Sequence, residues 1–213
     1  MEKLNECIFD SINTARNDNH PFPHWIIRDF LTEEFCQMLF NQIPVSKEEW
    51  LYDGTRAGDY LNPTTQDITR FFLTAEIIKQ YPFLNEIITA MLCPKLVAEI
   101  SSRFYTDLSN CYLRVEYIAD RHGFYLIPHQ DIIEKKLTVF VYLGDGSENC
   151  GTDLYDSKKK WVKTIPFKHN TGYIFVPGED TSHGFEKKKI NGIRRAILLN
   201  YVTFKTEWPL IRE

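Results

Sequence analysis

The chain has 213 residues, 43% hydrophobic and 14% aromatic, and its 25 Lys and Arg against 29 Asp and Glu leave a formal charge of −4. This composition excludes a disordered polymer, gives no general attraction to nucleic acid, and is long enough for one sizeable core. No run approaches the roughly 18–20 apolar residues of a membrane span, and MEKLNECIFDSINTARNDNH lacks the apolar segment of a secretory leader, so a cytoplasmic protein with no membrane partner is expected. The five cysteines are widely spaced without a CxxC and read as reduced thiols.

The first half reads mostly as helix. HPFPHWIIRDF carries two prolines and then a short apolar run, the pattern of an extended leading strand. Thr32 is a natural N-cap. Glu33 and Glu34 follow in the first turn, where their charge opposes the positive end of the helix dipole, and Phe35, Met38, Leu39 and Ile43 recur at helical spacing until Pro44. LYDGTRAGDYLNPTTQDITR, dense in Gly, Asp, Thr and Pro, predicts a long loop of the kind that often carries function. A second helical zone runs from about Thr74 to Arg103, broken near Pro82 and Pro94 because proline lacks a donor and clashes with the preceding turn.

From residue 112 the pattern changes to short β-branched and aromatic runs: YLRVEYI, LTVFVYL, WVKTIPF, GYIFVPG and RRAILLNYVTF. Gly, Asp, Asn and Lys turns separate them. Strands at this spacing argue for an antiparallel sandwich or barrel, with the helices as a layer against it. Lys158 to Lys160 and Lys187 to Lys189 read as solvated hairpin tips.

IPHQDIIEKK sets His129 and Asp131 two residues apart. On a strand, residues i and i+2 share a face, so the pair can converge on one ion where Gln130 cannot. A lone HxD also reads as a turn histidine beside an Asp cap. His183, after GYIFVPG, supplies a third ligand, and two imidazoles with one carboxylate suit non-haem Fe(II) with three adjacent positions open. The same set with a water suits zinc. Eleven residues on, Arg194 opens RRAILLNYV, where alternation sends Arg194, Ala196 and Leu198 to one face and Arg195, Ile197 and Leu199 to the other. A guanidinium aimed into an apolar interior needs an anion, and its planar fork matches a carboxylate. His122 precedes a glycine turn, His169 sits in a hairpin signal, and His20 and His24 read as surface or core-edge residues.

YLRVEY, GFYLIPHQD, LTVFVYL, CGTDLY, GYIFVPGEDTSHGF and RRAIL follow one another between Cys111 and Phe204. In that order they resemble the Fe(II)- and 2-oxoglutarate-dependent oxygenases, in the prolyl-hydroxylase-like and phytanoyl-hydroxylase-like branches. PFPHWIIRDFLTEEFCQML is a softer match to the first strand and helix of bacterial and viral members.

The resemblance implies a β-rich α+β fold: a double-stranded β-helix, the cupin-like jelly roll, with an N-terminal helical layer. It implies one domain over 1–213, in which 1–110 is mainly helical support and lid and 111–205 is the catalytic core. His129, Asp131 and His183 would hold Fe(II), and Arg194 would bind the distal carboxylate of 2-oxoglutarate. Tyr117 and Tyr142 fall where related hydroxylases place tyrosines on the strands flanking the HxD, and Leu113 shares the face of Tyr117. The reaction implied is a dioxygenase hydroxylation of an unactivated C–H bond that consumes O2 and releases succinate and CO2, with ascorbate a candidate reductant. Asp131 favours hydroxylation over halogenation, and Arg194 sets the chain apart from collagen-type members, which have lysine there.

The substrate is read as a peptidyl prolyl or other peptidyl residue, or as a free amino acid or other small metabolite. Oligomeric state is left open. Substrate choice is expected from Tyr52 to Arg70, Asp120 to Tyr125 and Gly144 to Cys150, with Arg56, Tyr60 and Arg121 as candidate contacts. The competing readings are a cupin-like metal-binding protein and a zinc hydrolase, both without 2-oxoglutarate.

Overall fold

The computed structural model describes residues 2–45, 52–53 (backbone only), 70–145, 150–186 and 188–210. Helix α1 (Glu2–Asn13) buries Leu4, Ile8, Ser11 and Ile12 at three- and four-residue spacing, an amphipathic helix in a stretch read above only for its lack of a leader. Strands β1 (Arg16–Asp18) and β2 (His24–Arg28) follow, β2 being the expected leading strand. Thr32 caps α2 (Glu33–Gln42) by accepting from the Phe35 amide at 3.2 Å, and the helix stops just before Pro44. The second helical zone breaks at its prolines into α3 (Ala75–Gln80), a 3₁₀ turn at Pro82–Leu84, α4 (Asn85–Met91) and α5 (Pro94–Arg103). Pro94 occupies the first turn of α5, where its missing donor costs nothing.

The remaining strands are β3 (Tyr52–Asp53), β4 (Arg70–Phe72), β5 (Tyr112–Asp120), β6 (Phe124–His129), β7 (Lys135–Leu143), β8 (Thr152–Tyr155), β9 (Trp161–Ile165), β10 (Thr171–Phe175), β11 (His183–Phe185), β12 (Arg194–Val202) and β13 (Trp208–Pro209). Among the described residues they form two sheets. The larger is antiparallel in the order β1-β2-β10-β7-β12-β5-β13, with β4 also on β5; the smaller runs β3-β6-β11-β8-β9. From β5 to β12 the chain alternates between the sheets, except that β8 and β9 form a hairpin within the smaller one. Gly172 lets β10 lie close on β7, since a Cβ there would sit 1.9 Å from the Phe140 carbonyl oxygen.

Both faces of the larger sheet are buried. Leu113, Val115, Leu199 and Tyr201 share one hydrophobic cluster with Ile8, Leu39, Ile87 and Ile100 of the helices. Phe140, Tyr173 and Ala196, on the other face, share a second cluster with Phe124, Leu154 and Phe185 of the smaller sheet. Each such large apolar side chain contributes roughly 1.5–3 kcal/mol on burial. Tyr201 ties β12 to α4 by donating to the Met91 carbonyl at 2.7 Å.

Two local expectations change. His24 is fully buried, edge-on to Phe22, with Nδ1 2.8 Å from the Phe22 carbonyl. Lys158 to Lys160 are exposed as expected, but Lys188 turns inward to the buried Asp153 carboxylate at 2.8 Å. Among the described residues no helix is long and apolar enough to cross a membrane.

Candidate metal centre and its cleft

Antiparallel pairing of β6 and β11 puts His129 directly opposite His183, with ring centroids 4.5 Å apart. His183 therefore begins a strand of its own and does not trail the preceding one. Asp131 lies just past the end of β6, so the turn, and not strand alternation, brings its carboxylate round. One ligand atom from each of His129, Asp131 and His183 falls within a 4.8 Å group. Gly184 permits the approach, because a Cβ there would meet the Leu126 carbonyl oxygen at 2.7 Å and force β11 off β6.

The hydrogen bonds fix which nitrogens are free. Nδ1 of His129 lies 2.9 Å from the Ile127 carbonyl oxygen, and Nδ1 of His183 lies 3.0 Å from that of Thr181. A carbonyl only accepts, so each Nδ1 carries a proton, and in the neutral ring it is Nε2 that offers a lone pair. Burial lowers the His183 pKa to about 4, leaving the ring neutral at ordinary pH. For Asp131, burial opposes ionisation, but the fields of His183 and Lys135 and hydrogen bonds from Lys135 and Thr138 outweigh it and hold the carboxyl below its usual value. A neutral His183 and an ionised Asp131, with the His129 ring opposite, fit a divalent iron.

A second grouping, Glu33, Cys36 and His169, does not offer such donors. The Gly144 amide donates to His169 Nδ1 at 2.9 Å, so Nε2 holds the proton and donates to Glu33 at 3.2 Å. Burial pushes the Cys36 thiol up to about 12, which keeps it protonated.

The triad opens on a cleft of about 330 Å³ between the sheets, which Arg194 also lines. Arg194 is 3% exposed and donates through Nε to the Cys150 carbonyl at 2.7 Å and through Nη1 to Asp120 at 2.9 Å. The rings of Phe185, Phe140, Tyr142 and Phe124 surround its guanidinium with centroids 4.7–5.9 Å away. Tyr142, although its ring neighbours Arg194, does not line the cleft. Its hydroxyl donates to Thr152 Oγ1 at 2.7 Å and accepts from the Thr152 amide at 2.9 Å, and burial pushes the phenol up to about 12.

Tyr117 and Leu113 require correction. They lie on the opposite face of β5, in the cluster with the helices, while Arg114 and Glu116 line the cleft. The cross-strand pairs agree: Arg194 faces Asp120 and Leu198 faces Glu116, whereas Ile197 faces Tyr117 and Tyr201 faces Leu113. Arg56 and Tyr60 lie outside the described residues, as do 54–69 of the long loop and 146–149 of the β7–β8 hairpin. Arg121 does not line the cleft.

Several cleft residues escape the sequence reading. Arg70 binds Asp120 through two 2.9 Å bonds and lies 3.8 Å from Glu116, so two arginines share one fully buried aspartate. Burial pushes the Glu116 carboxyl up, against the opposing pull of Arg70 and Arg114. A polar row crosses the larger sheet toward the triad. Arg114 Nη2 donates to Asn200 at 3.0 Å, Asn200 Nδ2 to Thr138 at 3.1 Å, and Thr138 Oγ1 to Asp131 Oδ2 at 2.9 Å. Lys135 holds the other oxygen of Asp131. The available signal was charge on alternate residues of an apolar strand, at 114, 116 and 120.

No family model and no curated protein sequence matches the chain. Solved structures do. A prolyl 4-hydroxylase from Phytophthora capsici superposes with a TM-score of 0.61 at 13% identity over 94% of this chain, which spans 64% of that one. One from Pseudomonas putida gives 0.58 at 12% identity, covering 95% of this chain and all of the other. A Trichoplax adhaerens prolyl hydroxylase, solved with a hypoxia inducible factor oxygen degradation domain peptide, gives 0.50 at 18% identity over 95% of this chain and 90% of its own. In its backbone, then, the chain has the fold of these prolyl hydroxylases.

Proposed function

We propose that the chain is an Fe(II)- and 2-oxoglutarate-dependent dioxygenase that hydroxylates an unactivated C–H bond, with His129, Asp131 and His183 as metal ligands and Arg194 as the anchor for the distal carboxylate of 2-oxoglutarate. The observation that carries this reading is the convergence of one ligand atom each from two histidines and an aspartate within 4.8 Å, on a cleft whose wall also holds a buried arginine. The sheet alternation from β5 to β12 supports a double-stranded β-helix, and the shared cluster of helices and sheet supports 1–110 as a supporting layer in a single domain.

When bound, Fe(II) would activate O2, the oxidant, one oxygen atom entering the C–H bond and the other entering succinate as 2-oxoglutarate is oxidatively decarboxylated with release of CO2. The chain's own residues position and shield. The Ile127 and Thr181 carbonyls hold the imidazole protons on Nδ1, Lys135 and Thr138 orient Asp131, and Phe124, Phe140 and Phe185 keep water from Arg194. The substrate is either a peptidyl residue, as in the Trichoplax neighbour with its bound peptide, or a small metabolite.

Anaerobic titration with Fe(II) and then 2-oxoglutarate tests the reading. A visible charge-transfer band should appear and be absent in His183→Ala, and succinate should form on admitting air. A band and succinate yield unchanged in His183→Ala, or no band in the parent chain, overturns the assignment.

A further inference from the structure

We propose that Arg114 is a carboxylate-binding subsite for the primary substrate, so that the molecule oxidised is a small free acid of about amino-acid size and not an extended peptide. The inference rests on the dioxygenase reading above and deepens it.

Charge pairing inside the cleft carries it. Arg70 and Arg194 are matched by Asp120 and Glu116, and Lys135 is matched by Asp131. Bound Fe(II) and the 2-oxoglutarate dianion cancel each other. Among the described residues Arg114 is the cleft cation with no carboxylate in direct ion-pair contact, Glu116 and Asp131 acting on it only from farther off. Its guanidinium lies near the rings of Phe72 and Phe204, at 5.2 and 5.5 Å, and its one hydrogen bond among the described residues goes to the neutral amide of Asn200. No carboxylate of the described residues lies within ion-pair distance of it. A half-buried guanidinium that cannot lose its proton is costly without an anion, and its fork matches a carboxylate bidentately.

Position agrees with charge. Arg114 lines the cleft and begins the polar row that ends on Asp131, so an acid held there lies at the triad's end of the cleft, apart from Arg194 at the far end of the same strand pair. A cleft of about 330 Å³ is at the small end of ligand sites, which suits a metabolite.

The test uses the full chain with a panel of free L-amino acids, their α-carboxamides and an end-capped proline peptide. The readouts are succinate release and the melting temperature of metal-free and metal-loaded protein. At least one free acid should accelerate succinate release and raise the melting temperature, and its amide should not. Arg114→Met should raise the KM for that acid roughly ten- to hundredfold and erase the acid–amide difference. The KM for 2-oxoglutarate and the charge-transfer band should stay unchanged, and Arg114→Lys should recover part of the preference. Acceleration by the capped peptide in parent and Arg114→Met alike overturns the subsite while leaving the dioxygenase reading intact, as does an intact band with no response to any free acid. Absence of the band overturns the dioxygenase reading and this inference together.

Discussion

The two faces of the β5–β12 strand pair are made from alternate residues of the same two segments, yet they are built on opposite principles. Toward the helices they present Leu113, Val115, Tyr117, Ile197, Leu199 and Tyr201, with Arg195 at the strand end as the charged exception. Toward the cleft they present Arg114, Glu116, Asp120, Arg194 and Asn200, nearly all deeply buried, interspersed with Ile118, Ala196 and Leu198. In most antiparallel sheets the polar alternates face water. Here they face inward, so each charge needs a protein partner or a ligand, and stability on this face depends on pairing.

Removing a shared partner should break the comparison hardest. Asp120→Ala leaves Arg70 and Arg194 buried without their carboxylate, at an expected cost of about 3–5 kcal/mol. In a chain of 213 residues that corresponds to a melting temperature lower by roughly 10 °C, readable by calorimetry. Adding Arg70→Met should restore part of the loss. A double variant no better than the single one would contradict the shared-partner account.

Thr138→Val should act on function more than on stability. It keeps the side-chain shape but cuts the row that ends on Asp131, and metal affinity should fall roughly ten- to hundredfold. Competition with a chromogenic chelator measures this, and unchanged affinity would remove Thr138 from the positioning role.

On the other face, Tyr117→Phe should do almost nothing. The buried Tyr117 hydroxyl makes no hydrogen bond of good geometry among the described residues and has only a loose approach to Arg195, so its removal should leave stability within about 1 kcal/mol and the KM for 2-oxoglutarate unchanged. A clear rise in that KM would return Tyr117 to the cleft and reverse the facing assigned to β5.

The legible part of the site was the part with local chemistry. His129 and Asp131 announce themselves by residue type and spacing, and His183 and Arg194 by their places around predicted strands. The Arg70–Asp120 and Arg194–Asp120 pairs join residues 50 and 74 apart in sequence, a separation that no window reads. Likeness to related hydroxylases places Tyr117 in the site and Leu113 follows by sharing its strand face, yet both fall on the far side because this sheet has a buried interior on each face. Helices α2 and α5 were readable from caps, prolines and periodicity. The pairing of His129 with His183 was not, since it depends on how two short strands meet.

The polar cross-strand bonds also guard the alignment of the large sheet. A slip of one residue between β5 and β12 would exchange the faces and is strongly opposed, but a slip of two keeps every apolar residue on its own side. Apolar packing alone discriminates weakly against that error. Arg114–Asn200 at one end of the pair and Asp120–Arg194 at the other are directly opposed and hydrogen-bonded in the native alignment alone. They act as two pins six residues apart, so the charges that make the cleft costly to bury also leave the strands a single alignment.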